Sequence, residues 1–273
     1  MSPDPKGAVR LLSSLRPITA YGKVSKIVGL VAEGSGIRAP LGSLCHILPE
    51  APGGASQAER NNEAVPVDVV GFRDGNLLFM PYGELRGVQP GSLVRNSSLP
   101  PLFPVGPDML GHAFDAFGAP LDKSVHLSLP DAVPLYADPP PALSRPRISE
   151  PLDVGVRAIN SLLTLGKGQR VGIMAGSGVG KSTLMGMMAR YTKADVNVIA
   201  LVGERGREVL EFMEKDLGPE GMARSVLVIA TSDASPLVRM RAAYAATAVA
   251  EYYRDQGKDV LLMMDSVTRF AMA

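Results

Sequence analysis

Tryptophan is absent from these 273 residues, and cysteine occurs once, at Cys45. A lone cysteine excludes an internal disulfide framework. It reads as a small, half-buried strand residue rather than a reactive thiol. Histidine is scarce too: His46, His112 and His126 lie far apart, without the spacing of a zinc site. No apolar run approaches the roughly 18 residues that span a bilayer, and the N-terminus lacks the apolar stretch of a secretory signal. A net charge of +1 leaves no electrostatic footprint for nucleic acid. These absences point to a cytoplasmic protein whose membrane association, if any, is peripheral. What is present is ordinary globular composition, 46% hydrophobic and 20% charged, with length enough for two compact domains.

The spacing of Ala8, Leu11, Leu12 and Leu15 ahead of Pro17 predicts a short amphipathic helix within an N-terminal segment, 1–20. From Tyr21 to about residue 97 the pattern becomes short β-like runs divided by Gly and Pro: Lys23–Val31, Leu41–Leu48, Pro66–Phe72, Leu77–Met80 and Ser92–Arg95. Such runs predict a small antiparallel barrel or sandwich, with 51–64 as an exposed polar loop. A connecting segment, 98–150, holds six prolines between Pro130 and Pro146, which favours a stiff, extended linker and marks a domain boundary.

From 151 to 273 strand and helix alternate. Strands are predicted at Arg170–Met174, Val196–Val202, Val226–Ala230 and Val260–Met264, with helices at Lys181–Tyr191, 207–217 and from Pro236 to Gly257. The last helix takes Ser235 as its cap and is expected to face inward through Leu237, Met240, Tyr244 and Ala248. Near-continuous apolar strands alternating with helices define an α/β core with a mostly parallel sheet covered on both faces.

The densest chemical signal is Ala175 to Ser182, AGSGVGKS, followed by Thr183. Gly176, Gly178 and Gly180 let a loop curl and aim backbone N–H groups inward around Ser177 and Val179. A helix N-terminus at Lys181 adds positive potential. Lys181 then reaches the β- and γ-phosphates of ATP, and the Ser182 hydroxyl binds Mg²⁺. Ala175 stands where the strict pattern has Gly. A dinucleotide fingerprint does not fit, because Lys181 takes the place of its third small residue.

Asp265 closes the apolar strand Val260–Met264, at the end where open α/β sheets bind ligands, and is a second candidate for Mg²⁺. Glu204 and Arg205 follow the strand Val196–Val202: Glu204 is placed to polarise an attacking water and Arg205 to steady phosphoryl charge. Glu208, one turn later, reads as a helix-surface residue.

Together with these motifs, the runs from Pro151 to Arg170 (PLDVGVRAINSLLTLGKGQR), Val202 to Val209 (VGERGREV), Ala230 to Arg239 (ATSDASPLVR) and Met264 to Ala273 (MDSVTRFAMA) resemble the type III export ATPases, relatives of the rotary ATP synthase catalytic subunit. Leu110 to Asp122 (LGHAFDAFGAPLD) fits too, with His112 where Arg is usual. The wording is nearest to the flagellum-specific ATPases, with the injectisome ATPases a close second. The resemblance implies an N-terminal β-barrel, a RecA-like P-loop core and a hexameric homo-oligomer. It implies Mg²⁺-dependent ATP hydrolysis that drives export, with substrates and chaperones released at a membrane-peripheral export gate. A stator-type regulatory protein would meet the N-terminal segment.

Family members continue past Ala273, so the chain is expected to be a fragment. The adenine-stacking aromatic and the arginine finger would lie beyond it, and the chain alone is expected to be inactive or to bind ATP weakly. The rivals are a rotary catalytic subunit, the RNA-translocating terminator Rho and a non-hydrolysing structural subunit. Rho predicts an aromatic, basic platform that seven Phe and seven Tyr do not suggest, and a structural subunit has no need of Glu204.

Overall fold

The computed structural model describes residues 20–49, 64–98, 101–176 and 178–273. The expected helix at 8–15, nearly all of the 51–64 loop and Ser177 of the Gly-rich loop lie outside them. The chain divides into two units, Met1–Pro100 and Pro101–Ala273. The division precedes the Pro-rich stretch, whose first residues form a strand of the second unit.

The first unit is a closed barrel in the order β1-β2-β5-β4-β3-β6. Its strands are β1 (Tyr21–Val28), β2 (Val31–Ser35), β3 (Leu44–Leu48), β4 (Val65–Arg73), β5 (Asn76–Pro81) and β6 (Leu93–Ser98). Period-two alternation puts Val24, Cys45, Ile47, Val67, Val69, Leu77, Phe79 and Val94 inside. The β4–β5 turn uses Asp74 and Gly75, both at positive φ, the backbone that a tight hairpin requires. The predicted strand Lys23–Val31 is instead broken by Gly29, at φ 59°, into two paired strands. The apolar run continues through the turn, so hydrophobicity alone hides it. Burial, with the charge of Asp68 second, pushes the Cys45 thiol up to about 12.

The second unit carries a four-stranded parallel sheet. Two short strands precede and flank it, β7 (Leu102–Val105) and β9 (Asp131–Pro134), which pair with each other. Between them β8 (Ala113–Phe114) joins the sheet beside β13. The small pair β10 (Pro151–Leu152) and β11 (Leu165–Gly166) follows. Then come α1 (Lys181–Tyr191), β12 (Val196–Val202), α2 (Gly206–Glu211), a wide helical turn at Phe212–Leu217, α3 (Gly218–Ala223) and β13 (Ser225–Ala230). The chain continues through α4 (Pro236–Asp255), β14 (Val260–Asp265) and α5 (Val267–Ala271). The sheet order is β14-β12-β13-β8.

Strands β12 and β13 are buried along their whole lengths. Val196, Val198, Ala200 and Val202 pack on the α4 side, while Ile199 and Leu201 pack with Met185, Met188 and Phe212 on the other. Each such aliphatic side chain contributes about 1.5–3 kcal/mol by leaving water.

Two expectations require correction. The inward face of α4 is Ala242, Ala245, Ala246, Val249 and Tyr253, and of the expected residues Ala248 is buried whereas Tyr244 is 37% exposed. Bulk suggested the wrong stripe: alanines let this helix lie close on the sheet, and larger side chains fit only at its margins. The second concerns Arg170–Met174, which forms no strand: Val171 is 53% and Met174 95% exposed. Its composition suits a pleated surface, but β-propensity reflects packing by neighbours, and among the described residues no strand pairs with this segment.

Candidate functional site

The Gly-rich loop enters α1 through Gly180, in left-handed backbone at φ 93°, and Gly178 is also left-handed at 76°. Nothing lies within 4 Å of where a Cβ on Gly176, Gly178 or Gly180 would sit. Backbone handedness therefore requires the last two glycines, and the space beside them is open. The Leu184 N–H donates to Gly180 at 2.9 Å, starting the helix and leaving the first-turn N–H groups at its positive end.

Parallel register brings the distant residues together. Leu201 on β12 sits opposite Asp265 on β14, so the chain beyond β12 passes the end of β14. Asp265, only 5% exposed, receives the Lys181 ammonium on Oδ1. Ser182, Glu204, Glu208 and Asp265 line one cavity of about 20 Å³, walled by Leu201, Val209 and Phe212. Thus Lys181, Ser182, Glu204 and Asp265, predicted from separate motifs, converge. Thr183 and Val179 are exposed.

Arg205 behaves differently from its expected role. It caps α2, its N–H donating to Glu208 at 3.4 Å and its guanidinium 3.5 Å from the same carboxylate, and its side chain is 61% exposed. Glu208, read as a helix-surface residue, reaches the cavity. Burial first, then a hydrogen bond shared with Glu208, then the charge of Asp265 raise the Glu204 carboxyl above its ordinary range. Glu208 is correspondingly lowered, chiefly by that hydrogen bond. Of the two carboxyls, Glu204 is thus the one that holds a proton more tightly.

Arg269 was missed by sequence reasoning. Ser266 caps α5, its Oγ accepting from the Arg269 N–H at 3.3 Å, and this aims the side chain back across the site. The guanidinium donates to the Gly203 carbonyl and approaches Glu204 Oε2 at 3.6 Å. Gly203, at φ 77°, makes the slot: a Cβ there would lie 2.7 Å from Arg269 Cδ. The Ser232 N–H holds the Glu204 carbonyl at 2.9 Å. The available signal was the Ser-x-x-Arg spacing after the Asp265 strand.

A glycine-led helix start with free N–H groups, a buried carboxylate at a parallel strand end and a second carboxylate beside it are the parts of a nucleotide-binding α/β domain. Residues 155–273, a little under half of the chain, match the family model "ATP synthase alpha/beta family, nucleotide-binding domain". The chain is 52% identical over 253 residues to the flagellum-specific ATP synthase of Bacillus subtilis, covering 93% of this chain and 56% of that protein. It is 48% identical to the flagellum-specific ATP synthase of Salmonella typhimurium, covering 96% and 58%. It is 47% identical to the type 3 secretion system ATPase of Xanthomonas euvesicatoria, covering 97% and 58%.

The assembled EscN ATPase of the enteropathogenic Escherichia coli type III secretion system, in complex with its central stalk EscO, superposes with a TM-score of 0.82 at 41% identity. That match covers 92% of this chain and 59% of that one. The chain thus spans a little over half the length of the curated relatives it matches.

Proposed function

We propose that the protein hydrolyses ATP at this site and that hydrolysis energises type III, flagellar protein export. The observation that carries the reading is the convergence of Lys181, Ser182, Glu204 and Asp265 at the open ends of parallel strands, 84 residues separating Lys181 from Asp265. The flagellum-specific relatives favour the flagellar system over the injectisome.

Phosphates would lie at the α1 N-terminus, against its free N–H groups and the Lys181 ammonium. Glu204 would accept a proton from the attacking water, its raised affinity for protons suiting it to that task. Arg269 fixes the backbone that carries Glu204, and the exposed Arg205 side chain would have to leave Glu208 to meet phosphoryl oxygens. The Ser182 hydroxyl and the Asp265 carboxylate are hard oxygen donors of the kind magnesium takes, so the residues fit Mg²⁺. Bound there by Ser182 and Asp265, it would neutralise phosphate charge.

The names of the EscN structures, assembled and with a central stalk, support a hexameric ring and a regulatory partner of stator type. Export substrates, their chaperones and a membrane-peripheral gate at the cytoplasmic face complete the proposal. Among the described residues no helix is long and apolar enough to cross a membrane.

The test is a pair of variants in the full-length protein. Glu204→Gln should keep ATP affinity within about twofold while phosphate release falls at least a hundredfold, in the range of a lost general base. Lys181→Ala should abolish nucleotide binding. Undiminished turnover in the first, or unaltered affinity in the second, would overturn the assignment.

A further inference from the structure

We infer that Lys181 bars free divalent cation from Asp265, so that the cation enters only with nucleotide. The inference rests on reading Lys181, Ser182 and Asp265 as the nucleotide and cation site, and adds an order of arrival to it.

The Asp265 carboxylate is buried, its side chain 7% exposed, and its Oδ1 is occupied by the Lys181 ammonium. The Lys181 side chain that carries the ammonium is 29% exposed. The cavity that Asp265 lines with Ser182, Glu204 and Glu208 measures about 20 Å³, space for little more than one water. Magnesium sheds its waters reluctantly and keeps several of them when bound. A hydrated cation therefore cannot take Asp265 while the ammonium stays.

Displacing the ammonium without nucleotide is unfavourable on charge grounds as well. The Lys181 Nζ would remain tethered by its stem at the first residue of α1, beside the positive end of that helix and next to a divalent cation. Glu204 already faces the Arg269 guanidinium at 3.6 Å, so it is not free to take the ammonium in place of Asp265. Phosphates resolve the conflict: they receive the ammonium, free Asp265 and bring the cation with them. Lys181 thus has two successive partners, the carboxylate in the empty site and phosphate in the filled one.

Manganese, which takes the same oxygen ligands, reports the difference by electron paramagnetic resonance of the free ion. The full chain is titrated with Mn²⁺ in the absence of nucleotide. Lys181→Ala should bind one Mn²⁺ at least tenfold more tightly than the parent chain, and Lys181→Gln, which keeps the length but not the charge, should do the same. Lys181→Arg should remain as closed as the parent. Adding Asp265→Asn to Lys181→Ala should erase the gain. Equal Mn²⁺ affinity in the parent, Ala and Gln chains overturns the inference, as does a gain that survives Asp265→Asn. Far-UV circular dichroism verifies folding, and the Gln chain decides if the Ala chain is unfolded. ADP binding by the parent chain in the presence of chelator is measured separately. Its absence would count against the phosphate site, while the Mn²⁺ comparison still decides the role of the ammonium.

Discussion

Replacing Gly203 with alanine adds one methyl group at the junction between β12 and Glu204. Two costs follow from the geometry. Gly203 sits at φ 77°, where an L-residue loses roughly 1–2 kcal/mol relative to glycine. The new Cβ would also stand 2.7 Å from Cδ and 3.0 Å from Cβ of Arg269. The Cδ can swing away on its flexible stem, but Arg269 Cβ is fixed to α5, so the helix start must shift. Overpacking of this kind costs about 1–3 kcal/mol. The sum, about 2–5 kcal/mol, is a large share of the 5–15 kcal/mol by which domains are held.

Urea unfolding followed by far-UV circular dichroism should show the α/β unit's midpoint falling by about 1–2.5 M, taking a slope near 2 kcal/mol per molar. Gly206→Ala is the matched control: no atom lies within 4 Å of its Cβ position, and it begins α2. That change should be neutral or stabilise by about 0.4–1 kcal/mol. In an Arg269→Ala background, Gly203→Ala should cost less by at least about 1 kcal/mol, a coupling typical of touching residues. If Gly203→Ala and Gly206→Ala prove equally mild, or if the double change is strictly additive, the slot reading is wrong.

Glu204→Gln should raise the melting temperature at pH 7–8. The sign follows from linkage: the folded-state proton affinity of Glu204 is raised, chiefly by burial, so its ionised form opposes folding at high pH. The gain should shrink as the pH falls and vanish below the ordinary value of 4.5, where the glutamate becomes protonated in both states; a pH-independent shift would refute the cause. Ala246→Leu, at a position with no exposure in the face of α4 against the sheet, should cost about 1–3 kcal/mol by overpacking. An unchanged urea midpoint would mean that the helix can lift off the sheet freely.

The barrel and the parallel sheet were legible because their strands carry unambiguous patterns, alternating in one unit and continuously apolar in the other. Lys181 and Asp265 were legible for a different reason: each stands at the end of an element whose direction is set by topology, so a shared site follows from the fold class. Glu208 and Arg269 were hidden because charged side chains near helix starts look alike in sequence. Which of them turns inward depends on the caps at Arg205 and Ser266 and on the missing Cβ of Gly203. The segment 170–174 marks the opposite failure, a strand-like composition without a partner strand. The Ala245–Ala246 stripe shows that small residues can define a buried face while bulk points elsewhere.

Closure of the N-terminal barrel carries a consequence for recognition. Six strands pair around the ring, β1 joining β6 through Tyr21, Gly22 and Lys23, so among the described residues no strand of the ring is an edge strand. A partner cannot bind this wall by adding a strand to it, a mode that tolerates wide changes in sequence. It must instead read outward side chains such as Val28, Leu30, Val70 and Phe72, all more than 40% exposed. Contacts of that kind are set residue by residue, so the outer wall is where two barrels of the same architecture can come to choose different neighbours.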